Sequence, residues 1–138
     1  MRMRTLPLLM LPALLLGACT QTQAEVERVQ VREAGVQEKL AKELAGLVPG
    51  KPQTCISQFP QKQSSGYGAT ILYRVNNGLV YRSDTAGGCE GIGRGDVLVT
   101  RTPSGQLCRG DIAQTFDQAA RFPTGSCSFG DFIPYRKP

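Results

Sequence analysis

Apolar residues change their spacing twice along the chain, and each change marks a different kind of segment. From Leu6 to Leu16 they form one short run interrupted by Pro7 and Pro12. Between Ala24 and Val48 they recur mostly at three- and four-residue steps, at Val26, Val29, Val36, Leu40, Leu44 and Leu47, which is the stripe of a helix with one apolar face. Glu38 with Lys42, and Lys39 with Glu43, are spaced to pair on the exposed faces. Gly35 weakens the middle by about 1 kcal/mol, and Pro49-Gly50-Lys51-Pro52 ends the segment.

After Pro52 the pattern is strand-like. Thr54 to Ser57 is a short apolar piece, and Gln58 to Gly68 reads as a polar loop. Ala69 to Val75 and Leu79 to Ser83 flank Asn77-Gly78, a two-residue hairpin turn that places Val75 opposite Val80 and Arg74 opposite Tyr81. Asp96 to Thr102 and Gln106 to Arg109 flank a second turn, Pro103-Ser104-Gly105, and a last strand runs from Cys127 to about Ile133. The fold expected is mainly β: about six short strands in a small antiparallel curled sheet, barrel or sandwich, preceded by one N-terminal helix. Ile71, Tyr73, Val75, Val80, Val97, Val99 and Phe132 are its expected core, with Leu72 and Leu98 under the helix.

The first apolar run is too short for a membrane-spanning helix, which needs about 20 residues. With Arg2 and Arg4 before it, it has the zones of a secretory signal. It ends in Leu16-Gly17-Ala18-Cys19, which resembles the lipobox of bacterial lipoproteins: an apolar residue, two small residues and a thiol that accepts lipid. That resemblance implies cleavage before Cys19, lipidation of Cys19 and an exported protein held at a membrane surface. Thr20 after the cysteine, in place of aspartate, implies the periplasmic face of the outer membrane. An ordinary secretory signal would give the same compartment without the anchor. Residues 1–18 are thus expected to be the signal peptide, 19–50 the lipidated N-terminus and helical stalk, and 51–138 a disulfide-stapled β domain. Loss of Arg2 and Arg4 lowers the formal charge from +5 to +3, too little for a nucleic-acid footprint. The partners expected are the membrane, through the lipid, and an envelope protein or a cell-wall polymer.

Four cysteines remain, Cys55, Cys89, Cys108 and Cys127, an even number for a compartment where disulfides persist. Cys55 lies in the first strand and Cys127 in the last, and a curled sheet brings its ends together. Nested bridges, Cys55–Cys127 and Cys89–Cys108, are therefore expected. With no Cys-x-x-Cys pair and no histidine, zinc and thioredoxin-like sites lack the residues their chemistry needs.

Absence of histidine also removes Ser-His and Cys-His nucleophile systems. Gly91-Ile92-Gly93-Arg94-Gly95 lacks the spacing of a phosphate loop. Carboxylates for hydrolysis exist at Asp84, Glu90, Asp96, Asp111, Asp117 and Asp131, but nothing selects a pair. Gly95-Asp96, Gly110-Asp111 and Gly130-Asp131 read as turn punctuation, in which aspartate accepts from nearby backbone. Their irregular spacing argues against a calcium repeat, and the Arg-Gly-Asp triplets at Arg94 and Arg109 are not set in an evident loop tip. No catalytic residue, metal or cofactor is expected.

From Cys55 onward, Cys55-Ile56, a Tyr-rich hairpin, Gly88-Cys89-Glu90-Gly91-Ile92, Leu107-Cys108-Arg109-Gly110-Asp111 and a last Cys127 resemble a proteobacterial family of small exported proteins of unknown function. The resemblance implies a compact β domain and no particular activity. The expected function is a non-enzymatic, lipid-anchored envelope module that binds or braces. The alternative is an inhibitor or immunity-type protein presenting Gln58–Gly68 or Gly87–Gly95 to an enzyme, and a second alternative is a histidine-free hydrolase.

Overall fold

The computed structural model describes residues 21–60 and 62–138. The expected signal peptide and the expected lipid-bearing Cys19 lie outside the described residues. Helix α1 spans Gln23–Glu43 and opens with a capping box: Glu25 N–H donates to the Thr22 hydroxyl, while Thr22 N–H donates to the Glu25 carboxylate at 2.9 Å. It closes earlier than the apolar stripe predicts, because Gly46 takes a left-handed φ of 76° and reverses the chain. No helix among the described residues is long and apolar enough to cross a membrane.

Among the described residues nine strands follow, in chain order β1 (Val48–Pro49), β2 (Cys55–Ser57), β3 (Gln63–Tyr67), β4 (Thr70–Asn76), β5 (Leu79–Thr85), β6 (Val97–Thr100), β7 (Gln106–Cys108), β8 (Ile112–Phe116) and β9 (Pro123–Arg136). Six of them form a curled antiparallel half-barrel in the order β3-β4-β5-β9-β8-β6, and β1 adds to β9. The fold is therefore mainly β with one helix before the sheet. The long β9 carries the curl: its second half pairs with β5 and its first half with β8. Apart from this sheet, β2 and β7 make a two-stranded ribbon. β3 falls within the segment expected to be a loop, and β8 was not expected at all.

The Asn77-Gly78 turn forms as its sequence requires, with Asn76 opposite Leu79 and Gly78 N–H donating to Asn76 Oδ1 at 2.8 Å. Beyond it the expected register fails. Val75 is bulged, so Arg74 faces Val80 and Tyr73 faces Tyr81. Since side chains alternate with a period of two, one extra residue moves Val80 onto the face of Leu72. There it joins Leu72 and Leu40 of the helix in a small buried cluster, with Leu44, Leu47 and Tyr135 around it. Glu43 reaches Arg74 at 2.7 Å and does not form the expected pair with Lys39, whereas Glu38 and Lys42 do pair. Only the C-terminal half of the helix is used in this way; Val29 and Val31 remain 62% and 69% exposed.

The main core fills the half-barrel: Ile71, Tyr73, Phe129, Phe132, Ala113 and both Cys89 and Cys127, closed at one end by Ile56 and Leu107. On β6 the expected phase is inverted. Leu98 packs inward, while Val97 and Val99 are 44% and 37% exposed. The Pro103-Ser104-Gly105 turn does not join two paired strands either. It carries the chain from the main sheet to the ribbon, so β6 pairs with β8, and β7 with β2.

The nested disulfides are also corrected. The bridges are Cys55–Cys108 and Cys89–Cys127, which cross in sequence. Cys55 and Cys108 are directly opposed in the ribbon, with Cα atoms 4.0 Å apart. Cys89 reaches Cys127 because Gly88, at a φ of 95°, lies flat against β9: a Cβ at Gly125 would stand 1.9 Å from the Gly88 carbonyl oxygen. Two glycines let the backbones touch, and the cysteines beside them follow. The strand that carries Cys55, β2, belongs to the ribbon and not to the sheet that curls, so curling does not bring it to Cys127.

Candidate functional site at the open seam

A half-barrel leaves two strand edges facing one another, here β3 and β6. The Glu90–Arg94 3-10 helix lies in the gap, with Ile92 set so closely on β3 that a Cβ at Gly66 would stand 2.7 Å from the Ile92 Cβ. Gly91 is equally confined, since a Cβ there would meet Asp96 Oδ2 at 2.0 Å. Packing thereby explains Gly91 and Gly93, and the left-handed φ of 104° explains Gly95. The run Gly91–Gly95 acts as a wedge that keeps the seam from closing.

On the ribbon side of the wedge the seam opens into a mouth of about 470 Å³. Ser64 of β3 and Tyr73 of β4 are cross-strand partners and line it together; Leu98 and Thr100 of β6 stand on the other edge. Leu107 of the ribbon, with Gln58, Phe59 and Lys62 that follow β2, completes it. Phe59 is 76% exposed. The Lys62 ammonium donates to the carbonyl oxygens of Ser57 and Pro60, and partial burial lowers its pKa from the usual range. An ammonium has three donors, so one remains for another partner. Gln58 donates from Nε2 to the Thr100 hydroxyl at 3.5 Å, leaving its amide oxygen to accept.

Tyr73 is the unusual member. Its ring packs against Phe129 and Phe132, its side chain is only 6% exposed, and its hydroxyl has no hydrogen-bond partner among the described residues. Burial pushes its ionisation far above the ordinary tyrosine value. Buried hydroxyls are ordinarily paired, because an unpaired one costs about 1–3 kcal/mol. Ser64 and Leu98 also line a second, larger cleft of about 1040 Å³ that lies past the wedge toward the helix. In that cleft Arg32, Lys39 and Arg94 make no ion pair among the described residues, whereas Glu33, Glu90 and Asp96 each accept a hydrogen bond from within the protein.

The carboxylates singled out by sequence are occupied with structural work. Asp84 accepts from Thr70 and Arg82, Asp96 from Thr124, Asp111 from Cys108 N–H, Asp117 from the N–H groups of Ala119 and Ala120, and Asp131 from Arg109. Asp111 fulfils the turn reading, but Asp131 sits in mid-strand of β9 and does not. In both Arg-Gly-Asp triplets the aspartate is tied to its own fold. No group of three or more metal-ligating side chains occurs among the described residues. The mouth itself escaped sequence reasoning, although Gln58–Gly68 and Gly87–Gly95, the two loops considered as presenting surfaces, both border the seam.

The chain matches no protein-family model, no curated protein and no solved structure.

Proposed function

We propose that the protein is a non-enzymatic, lipid-anchored module of the cell envelope, tethered through Cys19 at the periplasmic face of the outer membrane, that takes a ligand in the mouth between β3 and β6. The observation that carries this reading is the Tyr73 hydroxyl, buried and without a partner among the described residues, beside an open, polar-edged pocket. A small domain that keeps such a group in place of phenylalanine forgoes stability that a ligand's hydrogen bond would restore. The lipobox resemblance supplies the address, and the two disulfides are compatible with it.

Two measurements test it. The full chain should partition with membranes into detergent, and Cys19→Ser should release it or leave it unprocessed; a processed Cys19→Ser protein in the same fraction overturns the anchor. Immobilised domain should retain a component of solubilised envelope, and Ser64→Trp, which fills the mouth, should abolish retention at unchanged melting temperature. Equal retention by both proteins overturns the site.

The inhibitor reading has one observation in its favour. Phe59 stands exposed on a loop whose base is fixed by the Cys55–Cys108 bridge, the form of a rigid anchor for an enzyme cleft. It predicts one tight, stoichiometric protein partner in the same retention experiment.

A further inference from the structure

Taking the mouth as a binding site, we propose that its ligand is a glycan, the β-1,4-linked chain of N-acetylated amino sugars found in cell walls. One ring lies on Phe59, and its polar groups bond to Tyr73, Lys62 and Gln58.

A pyranose ring is amphiphilic in a particular way: its faces are C–H surfaces and its rim is hydroxyl and acetamide. The mouth is built to the same division. Phe59 stands 76% exposed at the edge, and Gln58, Lys62, Ser64 and Thr100 line the opening beside Leu98 and Leu107. An aliphatic ligand would leave these polar groups unpaired. A phosphorylated one would find a single cation, already held by two carbonyl groups. Among the described residues no carboxylate lines the mouth, so a neutral ligand with both donors and acceptors is the complement: the remaining Lys62 N–H gives, the Gln58 amide oxygen accepts, and the Tyr73 hydroxyl, covered in the free protein, gives once a rim side chain moves aside.

Ser64 and Leu98 line both cavities, so the second cleft lies next along the seam from the mouth, an arrangement that suits a linear polymer.

The test is titration of the isotope-labelled folded domain with the neutral tetramer of N-acetylglucosamine, followed by backbone amide shifts. Saturable shifts are expected at Ser64, Tyr73, Leu98 and Thr100, with Phe59→Ala weakening binding about tenfold. Tyr73→Phe should weaken it about three- to tenfold without lowering the melting temperature. Absence of saturation at millimolar sugar, or affinity indifferent to Phe59→Ala, overturns the proposal. If the tetramer fails while Ser64→Trp still abolishes envelope retention, the mouth stands as a site for another partner, such as a polypeptide. If Ser64→Trp changes nothing, the site itself falls.

Discussion

Two aromatic residues of the core behave differently under stress. Phe132 has no exposed surface, and replacing it by alanine should cost about 3–5 kcal/mol, seen as a large fall in melting temperature. Val99→Ala should cost less than about 1 kcal/mol, since Val99 faces outward. Measuring both decides the face of β6. Tyr73 adds a pH dependence. Its folded pKa lies above the unfolded value of 10.0, so the neutral form is the one the fold holds. Its contribution is intact below that value and is lost as pH rises from there through the folded pKa. In an alkaline titration, tyrosinate absorbance from Tyr73 should appear last and together with unfolding, and Tyr73→Phe should flatten the alkaline fall in stability. That Val97-Leu98-Val99 would turn its middle residue inward was not legible, because three consecutive apolar residues satisfy either phase. Tyr73 was legible as core but not as a site, since no sequence pattern says that a buried hydroxyl lacks a partner.

The helix divides into a half that packs and a half that does not. Leu40→Ala should destabilise the whole domain by about 2–5 kcal/mol, because Leu40 seals Leu72 and Val80. Thr22→Ala should remove the cap and about 1 kcal/mol of local helix stability while leaving the cooperative melt in place. Circular dichroism and amide exchange separate the two, with rapid exchange expected before about Glu33 and protection near Leu40. The Glu25 carboxylate is held below its usual 4.5 by the Thr22 N–H and then the Thr22 hydroxyl, so the cap is complete at neutral pH and frays as pH falls through that lowered value. The helix was readable from its stripe, and the β4-β5 hairpin from Asn77-Gly78. β3 was not, because Gln63-Ser64-Ser65-Gly66 is polar and glycine-bearing and becomes a strand only by pairing with β4. β8 hides for a related reason: its inward residues are the small Ala113 and Thr115, which leave no apolar alternation to see.

Across the whole molecule, mouth residues come from positions 58 to 107 and meet only when the sheet curls, so a site of this kind has no local signature. The disulfides tie the same distant parts. Each closes a loop long enough to stabilise by about 4 kcal/mol in the chain-entropy model, at sequence separations of 53 and 38. Unreduced peptide mapping should recover Cys55 with Cys108 and Cys89 with Cys127, and a Cys55–Cys127 fragment would contradict the fold. Their crossing also has a biosynthetic consequence. A chain delivered N-terminus first presents Cys55 and Cys89 before either has its proper partner, and an oxidase joining thiols in order of arrival makes the wrong pair. Cys127 cannot find Cys89 until the chain has emerged past β9 and β9 has docked. On the proposed exported location, maturation should therefore depend on a disulfide isomerase and not on an oxidase alone. In cells lacking the isomerase, a Cys55–Cys89 species should accumulate, whereas purified reduced protein given a glutathione buffer should reach the crossed pairing by reshuffling.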